Sequence, residues 1–207
     1  MVLDGNAAVG SIFVSGPDVY AAGWKYGNVQ IDPTHSVDYP IALYWKNAVE
    51  VDLSDGRISA QANSIFIHGT DVYVAGVSSS ATYATDNIPT YWKNGSPVQL
   101  MGKGSDAWAN GIWTDGTDIY TAGVDGLFNS IGGATYWKDD AQTELGSSNS
   151  RSDGSQITID GSDVYVTGGL SLNGGLTRAG YWKNGNRVDL SDESAWATAS
   201  GIVVVTH

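Results

Sequence analysis

Short β-branched runs recur along the chain at a nearly fixed interval: Ile12-Phe13-Val14, Ile65-Phe66-Ile67, Ile112-Trp113-Thr114 and Ile157-Thr158-Ile159. Each has the length and residue types of a buried strand, here called strand a. A turn signal follows each one, at Ser15-Gly16-Pro17-Asp18, His68-Gly69-Thr70-Asp71, Asp115-Gly116-Thr117-Asp118 and Asp160-Gly161-Ser162-Asp163. The glycine supplies the positive φ that a tight hairpin needs, so the chain is expected to reverse there. Strand b then starts at Asp18, Asp71, Asp118 or Asp163 and runs on to Gly23, Gly76, Gly123 or Gly168. A glycine ending every copy of a strand predicts close approach of neighbouring backbone. Helical periodicity appears nowhere.

Strand c carries Tyr44-Trp45-Lys46, Tyr91-Trp92-Lys93, Tyr136-Trp137-Lys138 and Tyr181-Trp182-Lys183, with tyrosines at 44, 91, 136 and 181 and therefore spacings of 47, 45 and 45 residues. Alternation sends the tryptophan to one face and the tyrosine and lysine to the other. Asn94-Gly95 and Asn184-Gly185 mark a second hairpin, with Asn47-Ala48 and Asp139-Asp140 as weaker equivalents. Strand d ends at Leu53, Leu100, Leu145 or Leu190, and the next β-branched run opens 12 residues later each time, at Ile65, Ile112, Ile157 or Ile202. Within that connection small residues recur two apart, as Ala60 and Ala62, Ala107 and Ala109, Ser152 and Gly154, Ala197 and Ala199. They read as an extended segment packed tightly on one side.

A four-stranded antiparallel unit of about 46 residues with tight a–b and c–d turns is what a β-propeller blade requires. The order of a strand, a Gly-Asp-type turn, a strand ending in Ala-Gly, a Trp-bearing strand and a polar outer strand resembles the WD40/kelch class of propeller repeats. It is most similar to bacterial propellers built of Tyr-Trp-Lys-Asn-Gly units. The chain lacks the Trp-Asp dipeptide and the Gly-His pair of WD40 repeats, and Gly168-Gly169 is a single kelch-like pair. The resemblance implies an all-β fold: a β-propeller of four repeats of four antiparallel strands, plus an extra C-terminal strand. One domain is expected over 1–207, with repeats near 11–56, 64–103, 111–148 and 156–193 and the extra strand at 202–206. That last strand, Ile202-Val203-Val204-Val205, duplicates strand a although the first repeat already has its own. Three arrangements accommodate it: a four-bladed monomer whose last strand covers an edge or replaces the first, two chains sharing a larger ring, or part of a longer propeller. The four-bladed monomer, with the solution mass of one chain, is the first expectation.

Composition narrows the partners. With 10 basic and 22 acidic side chains among 207 residues the formal charge is −12, which repels nucleic acid and anionic membrane surfaces. No apolar run approaches the roughly 20 residues of a membrane helix, so no membrane insertion is expected. Met1-Val2-Leu3-Asp4-Gly5 has neither the basic start nor the apolar middle of a signal peptide. The absence of cysteine excludes disulfides, thiol catalysis and thiolate-ligated zinc. A polar, acidic, glycine-rich chain of this kind is compatible with a bacterial extracellular or cell-surface protein.

The repeated Tyr, Trp and Lys are read as structural. The rings fill the space between sheets, and each lysine stem lies along such a face with its head free or paired to Asp18 or its equivalents. A channel lined by four lysines and binding an anion is the competing reading. Antiparallel order puts the b–c and d–a connections on one face, where any loop-built site should lie. The first b–c connection is the longest, with 20 residues between Gly23 and Tyr44 against 14, 12 and 12 in the others, and it holds Trp24, Tyr26, Asp32, His35, Asp38 and Tyr39. Trp108 and Trp196, outside the repeat, flank small-residue pairs in the d–a connections. Aromatics interspersed with Asp, Asn and Ser suit a carbohydrate, since rings cover a sugar's apolar face while carboxylates and amides bond its hydroxyls. Catalytic groups are sparse: Glu50, Glu144 and Glu193 fall in or near strand d, and His35, His68 and His207 lack ligand spacing. The Asp-rich turns are explained by turn chemistry rather than calcium. The expectation is a non-catalytic, cofactor-free, metal-free module that binds a glycan. The alternative is a protein-interaction scaffold of a larger assembly, self-associating through the spare terminal strand.

Overall fold

The structure, a computed structural model, describes residues 7–79, 86–103, 106–126, 132–146, 150–172, 175–192 and 194–205. Met1 to Gly5, Glu193, Thr206 and His207, named above, lie outside these residues. The fold is all-β, with sixteen strands and no helix among the described residues. The strands form four antiparallel units in chain order. Sheet 1 comprises β1 (Ala7–Ser15), β2 (Asp18–Asp32), β3 (His35–Lys46) and β4 (Val49–Asp52); sheet 2 comprises β5 (Ala60–His68), β6 (Asp71–Ser79), β7 (Asn87–Lys93) and β8 (Ser96–Gln99). Sheet 3 comprises β9 (Asp106–Thr114), β10 (Ile119–Gly126), β11 (Gly133–Lys138) and β12 (Ala141–Glu144); sheet 4 comprises β13 (Ser150–Asp160), β14 (Asp163–Leu172), β15 (Arg178–Lys183) and β16 (Asn186–Asp189). Neighbouring strands in each sheet are consecutive in sequence, and a single parallel bridge, Asn87 opposite Asp106, joins sheets 2 and 3.

The turn chemistry accounts for this meander. Gly16, Gly69, Gly116 and Gly161 all have positive φ (57°, 60°, 94° and 58°) at the first hairpin of each unit. At the second hairpin Asn47, Asn94, Asp139 and Asn184 have φ of 50–55°, the left-handed region that Asn and Asp tolerate best after glycine. First strands begin earlier than the β-branched runs and take in the small-residue pairs, because a bulge in each, such as the register shift between Ala62 and Ser64, keeps Ala60, Ala62, Ile65 and Ile67 on one face. The bulge also explains the invariant glycine of the second strand. A Cβ on Gly23, Gly76, Gly123 or Gly168 would lie 2.0, 1.9, 1.7 and 1.7 Å from the carbonyl oxygens of Ala8, Gln61, Trp108 and Asp153.

Packing is serial. The first strand of each sheet lies across the preceding sheet: β5 on β1, β2 and β3; β9 on β5, β6 and β7; β13 on β9, β10 and β11. Each junction pairs one sheet's aromatic face with the aliphatic and Trp-bearing face of the next. Phe13, Tyr20 and Tyr44 meet Ile65, Val74 and Trp92; Phe66, Tyr73 and Tyr91 meet Ile112 and Trp137; Trp113, Tyr120 and Tyr136 meet Ile157, Val166 and Trp182. Trp92, Trp137 and Trp182 are fully buried, and burying a ring of this size is worth roughly 4–6 kcal/mol before entropy.

Among the described residues, no strand of sheet 4 packs extensively on a strand of sheet 1, so the sheets are seen as a series of three junctions and not as a closed ring. Residues 202–205 correct the expectation of an extra strand, since they belong to no ladder. They add no paired strand to a sheet edge, and β1 keeps its own place beside β2. Residues 196–198 instead stand where the start of the first strand of a fifth unit would stand. The Ala197 amide donates to the Thr177 carbonyl at 2.9 Å, as the Ser152 amide donates to Gly132 at 3.1 Å one unit earlier.

Candidate functional site

The repeated lysines end in the same cluster at the turn face of every sheet. Lys46, Lys93, Lys138 and Lys183 pair with Asp18, Asp71, Asp118 and Asp163 at 2.9, 3.6, 2.6 and 2.7 Å. Each ammonium also lies 5.1–5.5 Å from the ring centroid of Tyr20, Tyr73, Tyr120 or Tyr165. Asn47, Asn94 and Asn184 complete the cluster, donating from Nδ2 to Asp18, Asp71 and Asp163 at 2.7, 2.9 and 2.7 Å. They accept from the amides of Val19, Val72 and Val164. The Lys46 and Asn47 bonds hold the Asp18 carboxyl below its ordinary range, as Lys183 and Asn184 do for Asp163 and Asn94 chiefly does for Asp71. Lys46, Lys138 and Lys183 are raised by the bonds to their carboxylates. With carboxylate and aromatic partners already in place, these ammonium groups fasten hairpin to hairpin and offer no anion a shared site.

On the opposite side, where the longer connections lie, a cavity of about 870 Å³ opens between sheets 3 and 4 and the terminal segment. Three stretches position its functional side chains. In β9, Ala107 and Ala109 are buried, so alternation turns Asp106, Trp108 and Asn110 to the cavity side. The start of β13 adds Arg151, Ser152 and Asp153, and the terminal segment adds Trp196 and Thr198.

The hydrogen bonds sort these groups into framework and free surface. Trp108 Nε1 donates to Asp106 Oδ1 at 2.9 Å, and Asn87 Nδ2 donates to the same oxygen at 2.8 Å, which fixes the Trp108 ring. Asn110 is committed to joining sheets, since it donates to the Gly154 carbonyl at 3.0 Å and accepts from Asn63 at 3.4 Å. Asp153 Oδ1 accepts from the Gly169 amide at 3.1 Å. The second oxygens of Asp106 and Asp153 and the Arg151 guanidinium have no partner among the described residues, and Trp196 is 71% exposed. Two indole surfaces, two carboxylate oxygens and one guanidinium therefore converge on a concave site.

The structure brings Trp108 and Trp196 together and places the other six candidates elsewhere. Trp24, Tyr26, Asp32, His35, Asp38 and Tyr39 lie on β2 and β3, which extend as a paired arm with Trp24 opposite Ala42, Tyr26 opposite Pro40 and Asp38 opposite Asn28. The longest connection is thus mostly strand, closed by the turn at Pro33-Thr34. Trp24 and Tyr26 meet edge to face at 5.2 Å, and Asp38 accepts from Asn28 at 2.8 Å. Arg151 and Asp153 join the site without any motif of their own in the sequence. Their only signal was that the small-residue pair Ser152 and Gly154 alternates with them.

No group of three or more metal-ligating side chains occurs among the described residues, and no helix there is long and apolar enough to cross a membrane. No protein-family model matches the chain, and a search of curated proteins finds no match to it.

Proposed function

We propose that the chain is a non-catalytic glycan-binding module whose site is the cavity between sheets 3 and 4 and the terminal segment. One observation carries this reading: Trp108 and Trp196, far apart in sequence, border one concave site together with carboxylate oxygens and a guanidinium that have no partner among the described residues. Indole faces cover the C–H face of a pyranose, carboxylates accept from its hydroxyls, and the guanidinium donates to hydroxyl or ring oxygens. At about 870 Å³ the cavity has room for a short oligosaccharide.

The test is a glycan array probed with the purified chain, with hits titrated by tryptophan fluorescence. Replacing both Trp108 and Trp196 by Ala removes the platforms and is expected to weaken binding by about 2 kcal/mol or more, roughly 30-fold. A blank array from folded protein counts against the reading. Undiminished binding by the double variant moves the site away from this cavity.

A further inference from the structure

Sheet 1 exposes part of the face that every other sheet covers: Trp45 and Ala21 on it are buried, at 6% and 5% exposed, while its first-strand side and hairpin end lie open. Ile12 is 66% exposed, whereas its equivalents Ile65, Ile112 and Ile157 are 3%, 2% and 3% exposed. Val9, Val14 and Val19 accompany it at the surface. In sheets 2 to 4 this face is seated on the aromatic face of the preceding sheet. At the other end of the series, sheet 4 offers the matching aromatic face. Leu190 there is 62% exposed, against 8% for Leu53 and 4% for Leu100 at the same position in sheets 1 and 2.

The terminal segment covers only part of sheet 4, with side chains that repeat those of β1. Ala197, Ala199, Ile202 and Val204 are its half-buried positions, and they correspond one for one to Ala7, Val9, Ile12 and Val14. The segment lacks the ladder that holds β1 to β2. We propose that sheet 1 of a second copy of this chain displaces the terminal segment from sheet 4, so that two copies associate head to tail through two such contacts and close a ring of eight sheets. β1 carries the residue pattern that the segment already presents to sheet 4, and it brings three further strands to cover Val188 and Leu190. The segment is the intramolecular stand-in that keeps this face covered in the single chain. Head-to-tail contacts between identical chains close when the rotation allows and grow into filaments when it does not. The inference does not rest on the glycan reading.

Light scattering across a concentration series tests it on the full-length chain and two variants. The wild type is expected to move from one chain mass, 21.8 kDa, to twice that mass as concentration rises. Ile12→Asp changes a side chain exposed in the single chain, so it should keep the wild-type circular dichroism and melting curve and yet stay at one chain mass. Ile202→Asp with Val204→Asp loosens the competing segment. If the segment occupies sheet 4 nine-tenths of the time in each chain, both segments must leave for the two contacts to form, so the concentration for half-association should fall about a hundredfold. A wild type and segment variant that both remain single chains, an Ile12→Asp variant that pairs like the wild type, masses growing past two chains, or weaker association of the segment variant would each overturn the proposal. The last result would assign the contact to the terminal segment itself.

Discussion

Replacing Gly123 by Ala tests the close approach on which each sheet depends. The added Cβ would lie 1.7 Å from the Trp108 carbonyl oxygen, 2.8 Å from its carbon and 3.1 Å from Ala109 Cα. Ordinary contact begins near 3.2–3.4 Å, so β9 and β10 must separate by about 1.5 Å at a point where both are backbone, and no side chain can swing aside. Overpacking of this kind costs about 1–3 kcal/mol, more where ladder bonds stretch. The restricted unfolded chain returns about 0.4–1 kcal/mol. With the stretched ladder bonds placing the overpacking cost in the upper part of its range, the expected net loss is about 1–2.5 kcal/mol, which for a chain of this length lowers Tm by roughly 2–10 °C. Gly133 is the control, since a Cβ there meets nothing within 4 Å and its φ is not in the left-handed range. Gly133→Ala should leave Tm unchanged or raise it by roughly 1–4 °C. Calorimetry on the pair decides the matter. A Gly123→Ala melt at or above the wild type would refute the steric account of the repeated glycine.

Two further substitutions read the turn face. Ala48 sits at φ 68° where the equivalent turns carry Gly95 and Gly185. Ala48→Gly should relieve that strain and raise Tm by roughly 1–4 °C, net of the glycine entropy cost; a lower Tm would count against it. Asp18, Asp71 and Asp163 have carboxyls held below the ordinary value of 3.8, so their contribution is complete above that value and is lost as pH falls through the lowered one. Asp163→Asn should therefore melt below the wild type near neutrality and show a shallower acid limb, with the two curves drawing together as pH falls through the lowered value. Parallel curves down to the lowest pH would mean that the Lys183 and Asn184 contacts do not stabilise the fold.

Much of the fold was legible because each of its signals is local. The hairpin glycines, the Asn-Gly turns, the Tyr-Trp-Lys alternation and the glycine closing each second strand act over a few residues, and all sit in the structure as their chemistry requires. Two features were not legible. The stretch from Trp24 to Leu43 gives no strand signal because its polar and aromatic residues do not alternate cleanly, yet eight pairs, from Trp24 opposite Ala42 to Asp32 opposite His35, form a ladder there. Ring closure depends on the angle between sheets, which accumulates over four junctions and is set by no single residue. The site was half legible. Trp108 and Trp196 stood out as tryptophans outside the repeat, while Arg151 and Asp153 became visible only once alternation along β13 was fixed by its bulge.

The same alternation explains why the site lies where it does. Within the first strands the positions facing the preceding sheet are nearly interchangeable, Ile65, Ile112 and Ile157 among them, because three junctions impose one packing problem. The position occupied by Trp108 faces away from that packing, and its equivalents are Ala8, Gln61, Asp153 and Thr198, no two alike. Freed from the fold, that position can carry recognition. The terminal segment combines the two kinds of position: its Ala197, Ala199, Ile202 and Val204 pattern repeats the packing set, while Trp196 and Thr198 face the cavity. A ligand seated on Trp196 would therefore also hold the segment against sheet 4. By reciprocity, a second copy that displaced the segment would remove one wall of the cavity, so ligand binding and pairing of chains would oppose each other with equal free energy.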